Sequence, residues 1–455
     1  MKLVPITVIL LWFSFFSFGQ EDDQKIIRDI FDNVLESDVA YENLRWLCDS
    51  APGRLLGSEN SYKAVDFMKS YFEDLGADTI FLQKFTTPAW IHHNTQVLFA
   101  EGCDETVLDA DALGPSPATP IEGIASLVIE VQSLEELNQL GTEIISGKIV
   151  FFNRPFDQKK ISPFRGYGAA VDQRSSGPAL AAELGAIGAL VRSVGSDQDD
   201  FTHTGSTRYK EKKIPAVALS NNSADLLSAE LQENPALEVE IFVDAEFKEQ
   251  ITTYNLIADI KGHEFPDEYI VVAGHIDTWF NSPGAHDDGA GCVQSADVLR
   301  IFKELKIKNR RSIRAIMYMD EELFQSGGNA YANYSKENHI KNFLALEADV
   351  GGFSPLGFNV HTSEELFQQI AAFQKLLKPY GIYFIDKGFS GVDITPLKEL
   401  GVPLMGYRTN PQRYMDLHHS ANDTFDQVHI RELQLGSGNM AAIIYLIDQH
   451  LNESY

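Results

Sequence analysis

The chain has 455 residues, of which 44% are hydrophobic, and this is enough to bury a large core and to form more than one domain. It carries 65 acidic and 37 basic residues, and its formal net charge is −28. A surface with this excess of negative charge repels nucleic-acid phosphates and anionic membrane surfaces, so neither partner is expected.

The first 19 residues are typical of a secretory signal peptide. Lys2 precedes an apolar run from Leu3 to Phe18, and a small-x-small site follows at residues 17–19. This run is shorter than the roughly 20 residues that a bilayer-spanning helix needs. We therefore expect cleavage before Gln20, a secreted or periplasmic mature protein, and no membrane anchor after cleavage.

Residues 20–119 are predicted to form the first part of a larger domain with α/β character. Helical periodicity runs through IIRDIFDNVLESDVAYENLRWLC and again through SYKAVDFMKSYFEDLG, and the strand-like segment TIFLQKFT follows. The three cysteines of the chain, Cys48, Cys103 and Cys292, are too few and too scattered for a disulfide framework or a thiolate metal site. Whether Cys48 and Cys103 pair is left open.

Residues 120–248 have a different pattern and are predicted to be an inserted domain, called the insert below. The segments GKIVFFNRPF and KIPAVALS lie on either side of a small-residue helix, GPALAAELGAIGALVRSV. Together they resemble a protease-associated domain. Taken alone, the pattern indicates only a small α/β or β-rich module.

Residues 249–455 are predicted to complete the larger domain, and strands alternate with helices from about residue 255. The segments YNLIADIKG, YIVVAGHID, SIRAIMYMDEE and NFLALEADVGG are strand-like, and CVQSADVLRIFKEL is helix-like. This alternation predicts an α/β fold with a mostly parallel sheet that helices cover.

Acidic residues and histidines follow these strands at the point where each strand ends. His275 and Asp277 follow YIVVAG, residues 320–322 (Asp, Glu, Glu) follow AIMYM, and Asp349 follows FLALEA. In open α/β sheets the ligand crevice lies outside the carboxyl ends of the strands, so these side chains are expected in one crevice.

Two further segments carry residues of the same types. Asp287 and Asp288 lie together in GAHDDGAG, and His418 and His419 lie in LHHSANDT after a strand and loop near the C-terminus. Imidazole nitrogen and carboxylate oxygen together suit zinc, and no thiolate is needed.

The order HIDT, GAHDDGAG, DEE, EADVGG and HHSANDT resembles the co-catalytic zinc exopeptidases, the metallopeptidase family of aminopeptidases and glutamate carboxypeptidases. Further similarity in APGRLLGSENSYKA, RSVGS, HTG and SGVDITPLKELGVP extends it over nearly all of the mature chain. The resemblance implies two zinc ions per chain. His275 and Asp349 would hold one ion, Glu322 and His419 the other, and Asp287 would bridge both, so that two dications offset the repulsion between adjacent aspartates.

The resemblance also implies roles for residues that do not bind metal. Asp277 would accept the second imidazole N–H of His275 through its carboxylate. Glu321 would act as the general base that takes a proton from the metal-bridging water and returns it to the leaving amine. Asp288 would be structural or would support a ligand, rather than bind metal itself. Apart from the resemblance, Asp393 in SGVDITP and Arg408 in GYRTN are candidates for contacts with the substrate.

The function that follows is a dizinc exopeptidase acting on short peptides, most of all unblocked dipeptides. An aminopeptidase acting on longer peptides is the alternative within the same chemistry. A metal-free binding protein of the same fold is disfavoured because all five ligands and the base are present. A single-zinc acyltransferase similar to glutaminyl cyclases would differ in its metal count. Related carboxypeptidases also suggest a homodimer.

Overall fold

The computed structural model describes residues 6–99 and 107–451, and for residues 6–20 it describes the backbone alone. The predicted signal segment, residues 1–19, therefore lies outside the residues whose side chains are described. Cys103 also lies outside, so its pairing with Cys48 stays untested. Within the described ranges, no helix combines the length and the apolar character that crossing a membrane requires.

The strands of the described ranges form one large sheet, in which each strand pairs with at least one neighbour. In chain order they are β1 Thr79–Phe99, β2 Val107–Leu108, β3 Ala110–Ala112, β4 Ile124–Val131, β5 Ile149–Phe152, β6 Gly188–Arg192, β7 Ala216–Leu219, β8 Glu238–Ile260, β9 Phe265–His275, β10 Arg311–Tyr318, β11 Lys341–Glu347, β12 Pro355–His361, β13 Phe384–Lys387 and β14 Leu404–Thr409.

The α-helices of the same ranges lie between and around these strands. In chain order they are α1 Ile6–Leu35, α2 Val39–Ser50, α3 Glu59–Leu75, α4 Leu134–Ile145, α5 Pro163–Gly168, α6 Asp172–Ser175, α7 Gly177–Glu183, α8 Asn221–Glu233, α9 Ala290–Glu304, α10 Ser326–Glu337, α11 Glu364–Ala371, α12 Gln374–Leu377, α13 Tyr414–Leu417 and α14 Ile430–His450.

Four parallel strands form the centre of the larger domain, in the order β14-β11-β9-β10. Antiparallel strands flank them, since β8 pairs with β10 and β12 pairs with β14. The predicted α/β fold with a mostly parallel sheet is confirmed. Because the four central strands run in one direction, their carboxyl ends all meet at one edge of the sheet.

Helices bury both faces of this sheet, which explains the nearly continuous apolar run of β9. Ile270 and Val272 belong to the core under α2, α9 and α14, whereas Val271 and Ala273 belong to the core on the opposite face, with Tyr331 of α10. Successive side chains of a strand point to opposite faces, so both faces require apolar residues.

A long antiparallel ribbon of β1 and β8 connects the larger domain to the insert. The pairing extends from Thr79 opposite Asp259 to Phe99 opposite Val239. The sheet of the insert begins where β4 pairs with β8, and it continues through β5, β6, β7 and β3. Strand β3 precedes residue 120, but it pairs with β7 of the insert. The domain boundaries at residues 120 and 248 remain a prediction.

One predicted helix of the insert is wrong over much of its length. The segment 177–194 forms the short helix α7 and then the buried strand β6. Gly185 has a φ of 88°, and the backbone N–H of Ala186 donates to the carbonyl of Ala181, which ends the helix. A short apolar run of small residues fits a buried strand as well as a helix, so periodicity alone could not separate them.

Candidate metal centre

The five side chains that are predicted to bind metal come together at the carboxyl edge of the parallel strands. His275 is the last residue of β9, Glu322 follows β10, and Asp349 follows β11. Asp287 lies in the turn that precedes α9, and His419 follows the short helix α13. The sheet topology therefore brings residues from five separate segments to one place.

Asp287 lies between two histidines. Its Oδ1 is 3.3 Å from Nε2 of His275, and its Oδ2 is 3.5 Å from Nε2 of His419. Nε2 of His275 is also 3.4 Å from Oδ1 of Asp349, and Nε2 of His419 is 3.1 Å from Oε2 of Glu322. The donor atoms thus form two groups that share one carboxylate.

Several atoms that face this cluster lack a hydrogen-bond partner. Nε2 of His275, Oδ2 of Asp287 and Oε1 of Glu322 are buried, and none makes a hydrogen bond to any part of the chain that the structure describes. A buried polar atom without a partner costs free energy unless a ligand satisfies it. Imidazole nitrogens and carboxylate oxygens are ligands that suit zinc, so the residues fit a metal centre.

The pKa values of two glutamates in the cluster also indicate a site for cations. Burial, together with the nearby carboxylates of Asp349 and Asp287, holds the pKa of Glu321 well above its ordinary value. Burial and the carboxylate of Asp287 hold the pKa of Glu322 well above its ordinary value too. Dications bound at the centre would reverse this effect and favour the charged carboxylates.

Backbone carbonyl groups fix the ring orientation of both histidines. Nδ1 of His275 lies 3.1 Å from the carbonyl oxygen of Asp277, and Nδ1 of His419 lies 3.2 Å from the carbonyl oxygen of Thr204. A carbonyl oxygen can only accept a hydrogen bond, so Nδ1 carries the proton in each ring. Nε2 of each ring then keeps its lone pair toward the cluster, which is the form that binds a metal.

The carboxylate of Asp277 makes contacts other than the predicted one. Its Oδ1 lies 3.7 Å from Nδ1 of His275, which is beyond hydrogen-bond distance, and the ring donates to the Asp277 carbonyl instead. Oδ1 accepts the backbone N–H groups of Asp320 at 2.9 Å and Glu321 at 3.2 Å. The Asp277 carboxylate therefore anchors the segment that carries the candidate general base.

The Asp288 carboxylate holds the turn before α9 against the sheet, in agreement with the structural role expected for it. Its Oδ2 accepts the backbone N–H of His275 at 3.0 Å, and its Oδ1 accepts that of Gly291 at 3.1 Å. The Asp287–Asp288 peptide bond is cis. A Cβ atom at Gly291 would lie 1.9 Å from the carbonyl oxygen of Ala348, so only glycine allows this close approach.

The cluster opens into a cavity of about 700 Å³ that lies between the larger domain and the insert. Glu321, Val350, Phe389 and Arg408 line it from the larger domain. The insert contributes Phe164, Tyr167, Val171, Arg174, Ser175, Ser206 and Arg208.

The two candidate substrate contacts differ in position. Arg408 lines the cavity, and its Nε donates to Oδ1 of Asn359 at 2.8 Å. Asp393 is 1% exposed and does not line the cavity, although Gly391 and Val392 do. A substrate contact by Asp393 stays a prediction, and its only sequence signal was its place in the motif SGVDITP.

Comparisons with known proteins agree with this arrangement. A model of peptidase family M28 matches residues 255–444. Carboxypeptidase Q of Xenopus laevis is 30% identical over 406 residues, which cover 89% of this chain and 84% of that protein. The chain belongs to peptidase family M28. It is a metallopeptidase, as the sequence predicted.

A further relative and two solved structures extend the similarity over the whole fold. Carboxypeptidase Q of Bos taurus is 29% identical over 410 residues, covering 90% of this chain and 85% of that protein. The crystal structure of a peptidase M28 precursor from Shewanella amazonensis has a TM-score of 0.90 at 29% identity, covering 96% of this chain and 99% of that one. A zinc aminopeptidase from Bacillus subtilis shares the fold, with a TM-score of 0.68 at 17% identity and coverage of 91% and 96%. Within family M28, the motifs of this chain had pointed to carboxypeptidase Q, and this is confirmed.

Arg54 binds the backbone between two of the predicted metal ligands, and the sequence analysis gave it no role. Its side chain is fully buried and donates to three carbonyl oxygens, those of Ile276 at 2.6 Å, Pro283 at 2.6 Å and Gly284 at 2.8 Å. These carbonyls belong to the segment between His275 and Asp287. The only signal was the motif APGRLLGSE, which added to the family resemblance without indicating a contact.

Asp423 is the second supporting residue that was missed. Its Oδ1 accepts the backbone N–H of His286 at 2.8 Å, and its Oδ2 accepts that of Asp287 at 3.0 Å. The motif HHSANDT contained Asp423, but only the histidines were assigned. Asp423 therefore ties the C-terminal ligand loop to the turn that carries Asp287.

His418 adds a further imidazole to the second donor group. Its Nε2 lies 3.9 Å from Oδ2 of Asp287, and its Nδ1 is buried without a hydrogen bond to the described part of the chain. The rings of His418 and His419 stack with their centroids 3.5 Å apart. His418 also lines the cavity, so the adjacent histidines of the motif both face the site.

Proposed function

We propose that this M28 peptidase is a dizinc exopeptidase that hydrolyses short peptides with a free α-amine, dipeptides above all. His275 and Asp349 would hold one zinc ion, Glu322 and His419 would hold the other, and Asp287 would serve both. The observation that carries the proposal is the position of Asp287, which turns one carboxylate oxygen toward each histidine. The zinc aminopeptidase from Bacillus subtilis with the same fold supports the choice of metal.

The residues of the site divide the work of hydrolysis. Zinc in such a centre supplies a Lewis acid that polarises the peptide carbonyl and lowers the pKa of a water ligand. Glu321 lines the cavity next to Glu322, takes the proton from the attacking water and returns it to the leaving amine. The Asp277 carboxylate keeps Glu321 in place through the 3.2 Å hydrogen bond to its backbone N–H.

The cavity is lined by cations that suit the free carboxylate of a short peptide. The carboxylates of the centre repel a substrate carboxylate unless a cation faces it. Three arginines line the cavity, Arg174, Arg208 and Arg408, and of these Arg208 is the exposed one. Arg174 already donates to the carbonyl of Thr204, and Arg408 already donates to Asn359. We therefore assign the substrate carboxylate to Arg208.

Export from the cytoplasm is part of the proposal. Residues 1–19 carry a basic start, an apolar run and a small-x-small site, which supports secretion or release into the periplasm. The N-terminal sequence of the protein recovered outside the cytoplasm should begin at Gln20. A product that still begins at Met1 would contradict export by signal cleavage.

The function is tested by initial rates on three matched substrates with zinc supplied. These are a dipeptide, its N-acetyl form, and the same sequence lengthened at the C-terminus. With zinc bound, the centre would take the free α-amine and the scissile carbonyl of the substrate together, so acetylation should abolish turnover. Equal rates on the free and acetylated dipeptides would contradict amine recognition, and faster cleavage of the longer peptides would make the enzyme an aminopeptidase of broader range.

A further inference from the structure

We propose that the insert forms part of the second metal subsite, which contains Glu322 and His419. The insert fixes the ring of His419 in the tautomer that binds zinc. The segment responsible is residues 203–205, the motif HTG, which the proposed reaction does not use. This inference rests on the proposed role of His419 as a zinc ligand. It assigns His203 and Thr204 as positioning residues.

Two reciprocal hydrogen bonds join Thr204 to His419. The backbone N–H of Thr204 donates to the carbonyl of His419 at 3.1 Å, and Nδ1–H of His419 donates to the carbonyl of Thr204 at 3.2 Å. His419 has a φ of 62°, a conformation that residues other than glycine rarely adopt. Such a conformation persists where its surroundings hold it. Thr204 makes two of the bonds that hold it, and Nδ2 of Asn281 makes a longer one to the carbonyl of His419 at 3.4 Å.

His203 holds the neighbouring peptide of the same loop. Its Nδ1 lies 2.7 Å from the carbonyl oxygen of His418, which can only accept, so Nδ1 of His203 is the donor. The His203 side chain is 1% exposed, and its backbone N–H donates to Oγ of Ser193 at 2.8 Å. The carbonyls of His418 and His419 are therefore both bound by consecutive residues of the insert.

The carbonyl of Thr204 is itself fixed. The Thr204 hydroxyl donates to the carbonyl of Ala112 at 2.6 Å, and Nη1 of Arg174 donates to the carbonyl of Thr204 at 2.9 Å. Thr204 is fully buried, so no water competes for these bonds. The residue that sets the tautomer of His419 is thus bound at its hydroxyl as well as at its carbonyl.

The insert also contacts α13, the short helix that precedes His418 and His419. The backbone N–H of Ser196 donates to the carbonyl of Met415 at 3.1 Å. Phe156 and Val194 of the insert pack with Met415 and Leu417 in one buried apolar cluster. The segment from Met415 to His419 therefore contacts the insert at both its start and its end.

The two metal subsites should depend on the insert unequally. The tautomer of His275 is set by the carbonyl of Asp277, two residues away in the larger domain. The tautomer of His419 is set by Thr204, which lies 215 positions away in the insert. Loosening residues 203–205 should therefore weaken one zinc site and spare the other.

Two substitutions of His203 in the full-length chain separate positioning from packing. His203→Leu keeps apolar bulk but loses the donor, whereas His203→Asn keeps an N–H near the place of Nδ1. Loss of a residue that orients a metal ligand typically costs about 10- to 100-fold in metal affinity. In a chelator titration that counts zinc per chain, His203→Leu should lose one ion at about 10- to 100-fold lower chelator strength, and His203→Asn should behave like the wild type.

A second pair of variants covers the case in which His203→Leu does not fold. Thr204→Val loses the hydroxyl that anchors the Thr204 carbonyl, and Thr204→Ser keeps it. Tyr209→Phe is the control, since it removes a hydrogen bond to the carbonyl of Ile214 within the insert and touches no ligand. Thr204→Val should lose one zinc ion selectively, and added zinc should restore its turnover. Thr204→Ser and Tyr209→Phe should keep both ions.

Three outcomes are distinguishable. Retention of both ions in His203→Leu and Thr204→Val at wild-type affinity would overturn the inference. Equal weakening of both ions, together with a lower melting temperature, would also overturn it, since the insert would then act on stability alone. A wild-type chain that binds fewer than two zinc ions would instead overturn the proposed dizinc function.

Discussion

The carboxylate of Asp277 accepts the backbone N–H of Glu321 at 3.2 Å, and this bond fixes the start of the segment that carries both glutamates of the site. Asp277 is fully buried, so water does not compete for the bond. The same oxygen accepts the backbone N–H of Asp320 at 2.9 Å. Glu321, the proposed base, and Glu322, a proposed ligand, both line the cavity, and Oε2 of Glu322 also lies 3.1 Å from Nε2 of His419.

Glu321→Gln should lower kcat by roughly two to four orders of magnitude, the scale of lost general acid–base catalysis. The amide keeps the shape of the side chain but cannot take a proton, so both zinc ions should stay bound. Glu337→Gln, on the exposed end of α10, is the matched control and should be fully active. Steady-state rates and zinc analysis check this, and an active Glu321→Gln enzyme would remove Glu321 from the mechanism.

Substitutions of Asp277 distinguish its observed contacts from the predicted one. Asp277→Asn keeps an oxygen that can accept the backbone N–H groups of Asp320 and Glu321, whereas Asp277→Ala leaves them without an acceptor. We expect kcat to fall much further in Asp277→Ala than in Asp277→Asn. Equal losses in the two variants would mean that the charge of Asp277, rather than its acceptor atoms, is what the site needs.

Arg208→Met should raise KM for a free dipeptide by about tenfold or more, since a charge-assisted hydrogen bond contributes roughly 1.5–3 kcal/mol. The KM for the corresponding dipeptide amide should change little, because that substrate has no carboxylate. Lys210→Met, an exposed change two residues away, is the control. If both substrates lose affinity equally in Arg208→Met, the carboxylate is bound elsewhere.

Arg54→Met should destabilise the fold by on the order of 3 kcal/mol, because three buried carbonyl groups lose their donor. The loss lies under the segment that leads to Asp287, so zinc affinity should fall as well. Arg45→Met, at an exposed ion pair with Glu42, should change the melting temperature little. Denaturant unfolding of the two variants measures the difference, and similar stabilities would show that Arg54 is not a support.

Much of the fold could be predicted from the sequence because the signals are local. The apolar strands β9, β10 and β11 are short and continuous, and the residues that follow them carry the chemistry. Parallel strands with their carboxyl ends at one edge then bring His275, Glu322 and Asp349 together without further information. The family resemblance supplied the pairing of ligands.

The residues that were missed act through contacts between distant parts of the chain. Arg54 donates to carbonyls more than 200 positions away. Thr204, in the insert, accepts a hydrogen bond from Nδ1 of His419 in the larger domain. Periodicity reports which face of an element is buried, and it contains no information about backbone carbonyls across a domain boundary. The same limit applies to α7 and β6, where small apolar residues suit either structure.

The bridging role of Asp287 is tested most directly by counting zinc in the wild-type chain and in Asp287→Ala. Both donor groups use this carboxylate, with Oδ1 3.3 Å from Nε2 of His275 and Oδ2 3.5 Å from Nε2 of His419. Elemental analysis after gel filtration should find two zinc ions per wild-type chain and fewer than two in Asp287→Ala, with activity lost in parallel. Two ions retained in Asp287→Ala, or one ion at most in the wild type, would contradict the dizinc centre.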